Sequence, residues 1–477
     1  MVEIVFSQRM EEFPMQPALG SREEKRAFYK MTFRITLPIA LQNLMDACVN
    51  SADVVMLALV GQNELSASSL AGQVAFVLNM LLFGIASGAS VLAAQYWGKG
   101  DRRTIERVMA ISLRLSVAIG LLFTLAAAFV PGSIMRIFTN KPELIEAGSK
   151  YLVALSPSYV LSAFATLYLA VMRSVERVNM SAIVHGTAVL MNVALNACFI
   201  FGWGPFPKLG IVGVALATTI TRACEALYCL LDTTVICKTV KLRVKDFFAR
   251  HAALMKDFMR YSVPAAANDI VWGLAFSVYS AILGRLSSDI VAANSVAGVV
   301  RNLATVVCFG TSSAAAIILG KSMGAGKIEE SRLYGRRFFF LSFATAVVGG
   351  LVIIACRAPM LNVMHYLLTQ QVTDRTREYV GLMLWINSYY IIGQSVNTML
   401  VCGVFRAGGD VKFGLVADLC AMWIYAVPVG LICAFVLKLP EMWVYFVLCL
   451  DEFVKMPLFI HHYRSNRWAT NITRTDM

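Results

Sequence analysis

Long apolar runs make up most of the chain, and short polar segments separate them. Twelve runs stand out, at residues 36–60, 67–93, 108–130, 150–172, 180–202, 211–237, 260–283, 290–318, 338–355, 379–403, 413–437 and 441–461. A helix needs about 20 apolar residues to cross the hydrocarbon core of a bilayer, and each run is close to that length. The pattern therefore predicts an all-α polytopic membrane protein with twelve transmembrane helices.

The first six spans resemble the last six. Residues that lie 226 positions apart match at several prolines and glycines: Pro38 with Pro264, Gly84 with Gly310, Gly98 with Gly324, and Gly100 with Gly326. Because six spans separate the two copies, both halves have the same orientation in the membrane. This arrangement predicts two six-helix lobes related by a parallel pseudo-two-fold repeat, which is a transporter architecture.

The repeat and the charged segments also divide the chain. We assign residues 1–34 to an amino-terminal tail, 35–237 to an N-lobe with helices 1–6, 238–259 to a linker, 260–461 to a C-lobe with helices 7–12, and 462–477 to a carboxy-terminal tail. The linker is basic and amphipathic, which is typical of a segment that lies on the membrane surface.

Composition and charge agree with this class of protein. The chain is 58% hydrophobic and 15% charged, whereas soluble proteins are about 25% charged. The formal net charge of +13 comes mainly from tails and loops on one side of the predicted membrane, as the positive-inside rule requires. The charge therefore indicates a multi-pass protein of the inner or cytoplasmic cell membrane, with both termini cytoplasmic, and no nucleic-acid partner. The 11 cysteines form no CxxC pair and are expected to be buried thiols.

Polar residues form a stripe along the first span. Asn43, Asp46, Asn50 and Asp53 lie on one helical face, and the two aspartates are about 10.5 Å apart along the helix axis. An aspartate at the centre of a membrane costs roughly 2.5–3.5 kcal/mol, so this face is expected to point into a cavity or toward another helix. Asp53 shares its span with no basic residue, and we expect it to be protonated, bound to a cation, or solvated.

Other spans carry similar stripes. They hold Ser181, His185, Asn192 and Asn196 in span 5, Asn268 and Asp269 in span 7, Asn294 and Arg301 in span 8, and Asn387, Tyr390, Gln394 and Asn397 in span 10. Buried amides are often interhelical hydrogen-bond partners, which contribute about 1 kcal/mol each. We interpret His185 as a structural histidine, and Arg222–Glu225 and Asp451–Lys455 as ion pairs within one helix.

Two six-span halves with an aspartate in span 1 resemble the MATE family of multidrug and toxic compound extrusion antiporters, in its bacterial form. The segments that carry the resemblance are SADVVMLALVG, AAQYWGKGD, MNVALNACFIFG, LGIVGVALATTITR, LGKSMGAGK and VFRAGGD. The resemblance implies export of organic, often cationic and amphipathic compounds. It also implies alternating access between two lobes, driven by inward movement of Na⁺ or H⁺.

The resemblance further implies a set of residues that bind the coupling cation. The cation-coupling set is Asp53, Asn192, Asn196 and Thr218, of which Asp53, Asn192 and Asn196 would be the Na⁺ ligands if sodium is the coupling ion. Some members have an acid where Asn196 stands, or in span 10, where this chain has Gln394 and Asn397. From the polar and aromatic residues of the spans themselves we predict a substrate-cavity set of Asp46, Asp269, Asn268, Trp272, Asn294, Arg301, Tyr390, Gln394 and Asn397. Asp46 is not part of the family pattern, and we expect it to be either a contact of the substrate cation or a second protonation site.

These observations favour a secondary active efflux transporter for organic cations and other xenobiotics. We expect no enzyme motif, no cofactor other than the coupling ion, and no obligate protein partner beside the membrane lipid. Two alternatives stay open. One is a flippase for lipid-linked saccharides from the same superfamily, for which Arg301 and Arg114 are the interior bases; the other is a non-transporting membrane receptor. The sequence does not separate Na⁺ from H⁺ coupling.

Overall fold

The computed structural model describes residues 20–60, 62–203, 206–237, 239–249, 251–367 and 373–474, which form helices and loops without a strand. In chain order the helices are α1 (Arg22–Val60), α2 (Gln62–Lys99), α3 (Arg102–Phe129), α4 (Pro131–Phe138), α5 (Pro142–Ser174), α6 (Val178–Phe201), α7 (Gly210–Leu231), α8 (Val244–Phe248), α9 (Ala252–Gly284), α10 (Ser288–Gly324), α11 (Ile328–Leu367), α12 (Asp374–Thr398), α13 (Val411–Leu419), α14 (Val427–Leu431), α15 (Glu441–Leu448) and α16 (Asp451–Arg464). π-Helical segments extend α7 through Asp232–Ile236 and α12 through Met399–Phe405. Two more, Cys420–Ala426 and Ile432–Val436, follow α13 and α14.

The helices combine into twelve rods, which are the twelve predicted spans. Ten are α1, α2, α3, α5, α6, α7, α9, α10, α11 and α12; α13 with α14, and α15 with α16, form the other two. Among the described residues, nine of these continuous helical segments, α13 with α14 counted as one, are long and apolar enough to cross a membrane. Some rods exceed their apolar run: α1 begins at Arg22, and α9 begins at Ala252 inside the segment assigned as linker. The lobe boundaries at single residues stay a prediction.

The turns after α2 and α10 have the same conformation. Gly100 has φ +81° and Gly326 has φ +78°, values in the left-handed region that favours glycine. After the first turn, the Asp101 carboxylate accepts a hydrogen bond from the Thr104 amide at 3.0 Å and so caps α3. The two glycines are equivalent under the 226-residue shift, so the repeat extends to the backbone of these loops.

Most helix packing lies within one half of the chain, and four helices make the largest contacts between the halves. In the N-terminal half α5 packs against α2, α3 and α7, and α6 packs against α7; in the C-terminal half α12 packs against α10 and α11. Between the halves, α2 contacts α9 and α10, and α1 contacts α10. The molecule therefore consists of two lobes that meet along α1, α2, α9 and α10.

Small residues let the two lobes approach closely. A methyl group on Gly84 would lie 2.2 Å from Ala266 Cβ, and one on Gly310 would lie 3.1 Å from Ala40 Cβ. Under the repeat, Gly84 is equivalent to Gly310, and Ala40 is equivalent to Ala266. The same helix contact thus occurs twice, once from each lobe.

A second reciprocal contact lies where α2 and α10 end. A methyl group on Gly98 would lie 1.9 Å from the Lys321 carbonyl oxygen, and one on Gly324 would lie 1.8 Å from the Gln95 carbonyl oxygen. Gln95 and Lys321 are again equivalent under the repeat. By contrast, a methyl group on Gly72 or Gly298, near the other ends of these helices, would have no neighbouring atom within 4 Å. We call the end of the molecule that holds Gly98 and Gly324 the closed end.

The carboxy-terminal segment after α16 crosses the closed end. The Gln95 amide nitrogen donates to the carbonyl oxygens of Ala407 and Thr470, at 2.8 and 3.1 Å, and its oxygen accepts from the Ile472 amide at 2.9 Å. The Arg474 guanidinium lies 2.6 Å from the Asp257 carboxylate. Up to Arg474, the predicted tail is therefore part of the contact between the lobes.

Candidate functional site

Three residues predicted for cation coupling lie together between α6 and α7. The Asn196 amide donates to Asn192 Oδ1 at 3.2 Å, and the Asn192 amide donates to Thr218 Oγ1, also at 3.2 Å. Both asparagines are buried, and their spacing of four residues places them on one face of α6. Asp53 belongs to α1, but its side chain lies outside the described residues, so its contact with this set stays a prediction.

A histidine joins two acids elsewhere in the N-lobe. His185 Nε2 lies 2.8 Å from Asp46 Oδ1, and His185 Nδ1 lies 3.0 Å from Glu225 Oε1. Arg222 Nη1 lies 2.6 Å from Glu225 Oε2, which confirms the predicted pair within α7. The periodicity placed Asp46 and His185 on polar faces of their helices, but it could not show that α1, α6 and α7 bring them together.

An arginine that the sequence analysis missed neutralises Asp269. Arg406 Nη2 lies 2.8 Å from Asp269 Oδ1 and donates to Asn268 Oδ1 at 3.2 Å, while Nη1 donates to Ser87 Oγ in α2 at 3.2 Å. Arg406 stands in the VFRAGGD segment, where its position after an apolar run was the available signal. Both carboxylates predicted to contact the substrate, Asp46 and Asp269, thus have a basic partner.

A cavity of about 300 Å³ opens inside the C-lobe. It is lined by Trp272, Phe276, Tyr279, Ser280, Leu283, Asn294, Arg301, Asn302, Thr305, Phe309, Tyr390, Gln394, Tyr445, Leu448 and Cys449. Five residues of the predicted substrate set are among them: Trp272, Asn294, Arg301, Tyr390 and Gln394. The other members with described side chains, Asp46, Asn268, Asp269 and Asn397, do not line it.

Arg301 is the charged residue of the cavity wall. Its guanidinium lies 5.8 Å from the centre of the Tyr390 ring, and in the described part of the chain no carboxylate oxygen lies within 4.0 Å of it. Arg114, the other interior base, instead donates to the carbonyl oxygens of Phe247 and Ala249 beside α8, both at 3.3 Å. The cavity therefore combines aromatic rings with one cation.

A buried charge cluster lies next to this cavity, since Lys455 Nζ is 5.6 Å from the centre of the Trp272 ring. Lys455 Nζ lies 2.9 Å from Asp418 Oδ1 and 3.0 Å from Glu452 Oε1. The predicted Asp451–Lys455 pair is wrong, because Asp451 accepts instead from the Tyr279 hydroxyl at 3.3 Å and from the Glu452 amide at 2.8 Å. Spacing within one helix did not reveal the acid that α13 supplies.

Asn397 belongs to this cluster and not to the cavity wall. Its amide donates to Glu452 Oε2 at 2.7 Å and to the Glu452 carbonyl oxygen at 2.6 Å. The Asn268 amide similarly donates to Asp418 Oδ2 at 2.8 Å. Both amides hold buried carboxylates in place, which is how a protein compensates for removing such groups from water.

Twelve helical rods in two repeat-related lobes, each with polar groups buried inside it, define a membrane transporter of the two-lobed class. The chain belongs to the MatE family, whose model matches residues 38–198 and 264–432. The match covers both halves of the repeat and leaves the carboxy-terminal part of the C-lobe outside it.

Relatives and solved structures of similar length agree with this assignment. The chain is 24% identical over 459 residues to the probable multidrug resistance protein NorM of Thermotoga maritima, covering 95% of this chain and 96% of the relative. It is 23% identical over 436 residues to the probable multidrug resistance protein YoeA of Bacillus subtilis, covering 90% and 92%. A crystal structure of a MATE mutant superposes with a TM-score of 0.83 at 18% identity, covering 92% and 96%. An outward-facing multidrug resistance MATE family transporter superposes with a TM-score of 0.82 at 19% identity, covering 94% and 97%.

Proposed function

We propose that the protein is a secondary active antiporter that exports small amphipathic organic compounds in exchange for Na⁺ or H⁺. The observation that carries the proposal is the contact between the lobes. Reciprocal glycine contacts hold them together at the closed end, whereas Gly72 and Gly298 have nothing within 4 Å. Two lobes that pack closely from the closed end to the middle of their helices, and have no such contact at Gly72 and Gly298, have the form that alternating access requires.

The charge distribution indicates which side of the membrane the closed end faces. If the positive-inside rule places both termini in the cytoplasm, the closed end is cytoplasmic and the space between the lobes opens outward. Gln73, Asn79 and Asn302 are exposed on α2 and α10. Polar side chains at this depth favour a water-filled cleft over contact with lipid.

The C-lobe cavity is the proposed substrate site. Its volume of about 300 Å³ is at the lower end of the range for sites that bind small molecules. Aromatic rings attract organic cations, and Arg301 would hold the anionic group of a zwitterionic compound. The proposed coupling site is the N-lobe set of Asp53, Asn192, Asn196 and Thr218. Its amide and hydroxyl oxygens support Na⁺ binding, and its carboxyl group would bind either ion.

Reconstitution in liposomes tests the proposal. Uptake of fluorescent organic cations is measured under an imposed Na⁺ gradient and then under an imposed pH gradient. We expect one gradient to drive transport and Asp53→Asn to abolish it, because the amide cannot change its charge during the cycle. Asp374→Asn is the matched control, since the Asp374 side chain is 92% exposed at the start of α12.

Two results would contradict the proposal. Undiminished transport by Asp53→Asn would remove Asp53 from the coupling mechanism. Absence of gradient-driven flux for every compound, with intact protein, would reject drug antiport. The flippase alternative would then be tested with a lipid-linked saccharide, and ligand binding without flux would favour a receptor.

A further inference from the structure

Three ionisable side chains from three helices meet inside the N-lobe, apart from the coupling set proposed above. Asp46 comes from α1, His185 from α6 and Glu225 from α7, and the ring lies between the two carboxylates. His185 is seven residues before Asn192, which is about 10.5 Å along the axis of α6. We call Asp46, His185 and Glu225 the histidine triad.

The hydrogen bonds of the triad require a proton that its neutral ring does not supply. A neutral imidazole has one N–H, and an ionised carboxylate only accepts hydrogen bonds. Both ring nitrogens lie within hydrogen-bond distance of a carboxylate oxygen, at 2.8 and 3.0 Å. The geometry is therefore that of an imidazolium between two carboxylates, or of a neutral ring beside one protonated acid. Either form holds one exchangeable proton.

The charges around the triad allow that proton to leave. Arg222 Nη1 lies 2.6 Å from Glu225 Oε2. Arg173, at the end of α5, donates to Ser181 Oγ at 3.1 Å and interacts electrostatically with both acids. With two arginines and two acids, the group is neutral when the ring is neutral and carries one positive charge when the ring is protonated. Neither state leaves more than one uncompensated unit charge inside the lobe.

The exposure of the three side chains indicates a path for the proton. The Asp46 side chain is 43% exposed, that of His185 is 13% exposed, and that of Glu225 is 1% exposed. Asp46 therefore connects the triad with the exterior of the lobe, and Glu225 is its buried end. Helix α1 also carries Ala40, which contacts Gly310 of the other lobe. A movement of the lobes that displaces α1 would therefore change the contact between Asp46 and His185.

From this geometry we infer that His185, between Asp46 and Glu225, binds a transported proton. The proton enters through the Asp46 carboxylate, passes to His185 Nε2, and leaves by the same route when α1 has moved. The inference rests on the proposed antiport and names its ion as H⁺. It adds a titratable site to the N-lobe that is separate from Asp53.

The first test observes the proton directly. Full-length protein is labelled with ¹⁵N in its five histidine rings, and solid-state NMR in lipid distinguishes an imidazolium from a neutral ring. His185→Gln identifies the signal of His185. We expect an imidazolium at acidic pH and a neutral ring at alkaline pH. A ring that keeps its proton, or lacks it, at every pH would overturn the inference.

The second test measures coupling in proteoliposomes. We expect His185→Gln and Asp46→Asn to lower transport driven by a pH gradient about tenfold or more. Exchange of labelled for unlabelled substrate at equal pH should continue, because it needs no net proton movement. His462→Gln is the matched control. His462 lies near the end of α16, outside the proposed sites of both lobes, and its Nε2 is also within hydrogen-bond distance of a carboxylate, 2.6 Å from Asp410 Oδ2.

The outcomes separate the two proposals. Wild-type pH-driven transport by both triad variants would overturn the proton site and leave the antiporter intact. If the wild-type protein moves no substrate under any gradient, the proposed antiport fails, and the inference of a transported proton fails with it even if NMR finds a titrating ring. If His185→Gln does not fold, Asp46→Asn removes the entrance carboxylate and gives the same comparison.

Discussion

Adding one methyl group at Gly98 is predicted to weaken the closed end of the molecule. The Cβ of an alanine there would lie 1.9 Å from the Lys321 carbonyl oxygen, which is a backbone atom that cannot rotate away. Overpacking of this kind costs typically about 1–3 kcal/mol. Because the cost applies only while the lobes touch, the equilibrium should shift by about 5- to 150-fold toward the state in which the lobes are separated at this end.

Hydrogen–deuterium exchange measures this shift in the full-length protein. The relevant amides are those of the carboxy-terminal segment that bonds to Gln95 and those of the last turn of α2. Exchange there should accelerate in Gly98→Ala by the same factor, since exchange follows the population of the open form. Peptides from the lobe cores should keep their wild-type rates.

Gly72→Ala is the matched control for this experiment. It makes the same change in the same helix, at a position with nothing within 4 Å. Both substitutions improve helix propensity by up to about 1 kcal/mol, so this contribution cancels in the comparison. Equal exchange rates in the two variants would refute the assignment of Gly98 to the contact between the lobes.

Three further predictions concern charged side chains. Glu24→Gln breaks a buried pair in which two carboxylate oxygens lie 2.7 and 2.6 Å from the Arg337 guanidinium, and we expect Tm to fall more than in the control Glu329→Gln, an exposed pair. Burial raises the pKa of Glu24, but the hydrogen bond and charge of Arg337 outweigh this effect and leave the pKa below its usual value. The stability that the Glu24–Arg337 pair contributes is therefore complete above the pKa of Glu24 in the unfolded chain. It is lost as the pH falls through the lowered pKa in the folded protein. Lys455→Met leaves buried acids without their base, and thermal unfolding should show a loss of about 3–5 kcal/mol. Arg301→Gln should reduce uptake of a carboxylate-bearing aromatic dye about tenfold, since hydrogen bonds to charged groups contribute about 1.5–3 kcal/mol. An equal loss for the methyl ester of the same dye would contradict a contact between Arg301 and the carboxylate.

The helices and the repeat could be predicted because both follow from patterns along the sequence and do not depend on which helices are neighbours. Apolar runs define the spans, and the sequence shows that Gly98 and Gly324 are equivalent under the repeat. The structure adds that backbones touch at both positions. Gly98 contacts Lys321 and Gly324 contacts Gln95, and these two contacted residues are also equivalent. The beginning of α9 at Ala252 was missed, because polar residues continue that helix beyond the apolar run.

Ion pairs between helices could not be predicted in the same way. Helical periodicity gives the face on which a residue lies, but not the side chain that a neighbouring helix presents to it. Spacing therefore found the pair of Arg222 with Glu225 and missed those of Arg406 with Asp269 and of Lys455 with Asp418. His185 was judged alone, and its two acids come from other helices.

The duplicated contacts at the lobe interface have a consequence for the origin of the chain. Because each contact occurs twice with its partners exchanged, the interface has the self-complementary form of a two-fold dimer. Two copies of a half-length chain with six helices would meet through the same glycines and alanines. On this view the segment around α8 converts a homodimer into one polypeptide. The two halves now differ in their chemistry, with a histidine between acids in one and an aromatic cavity in the other.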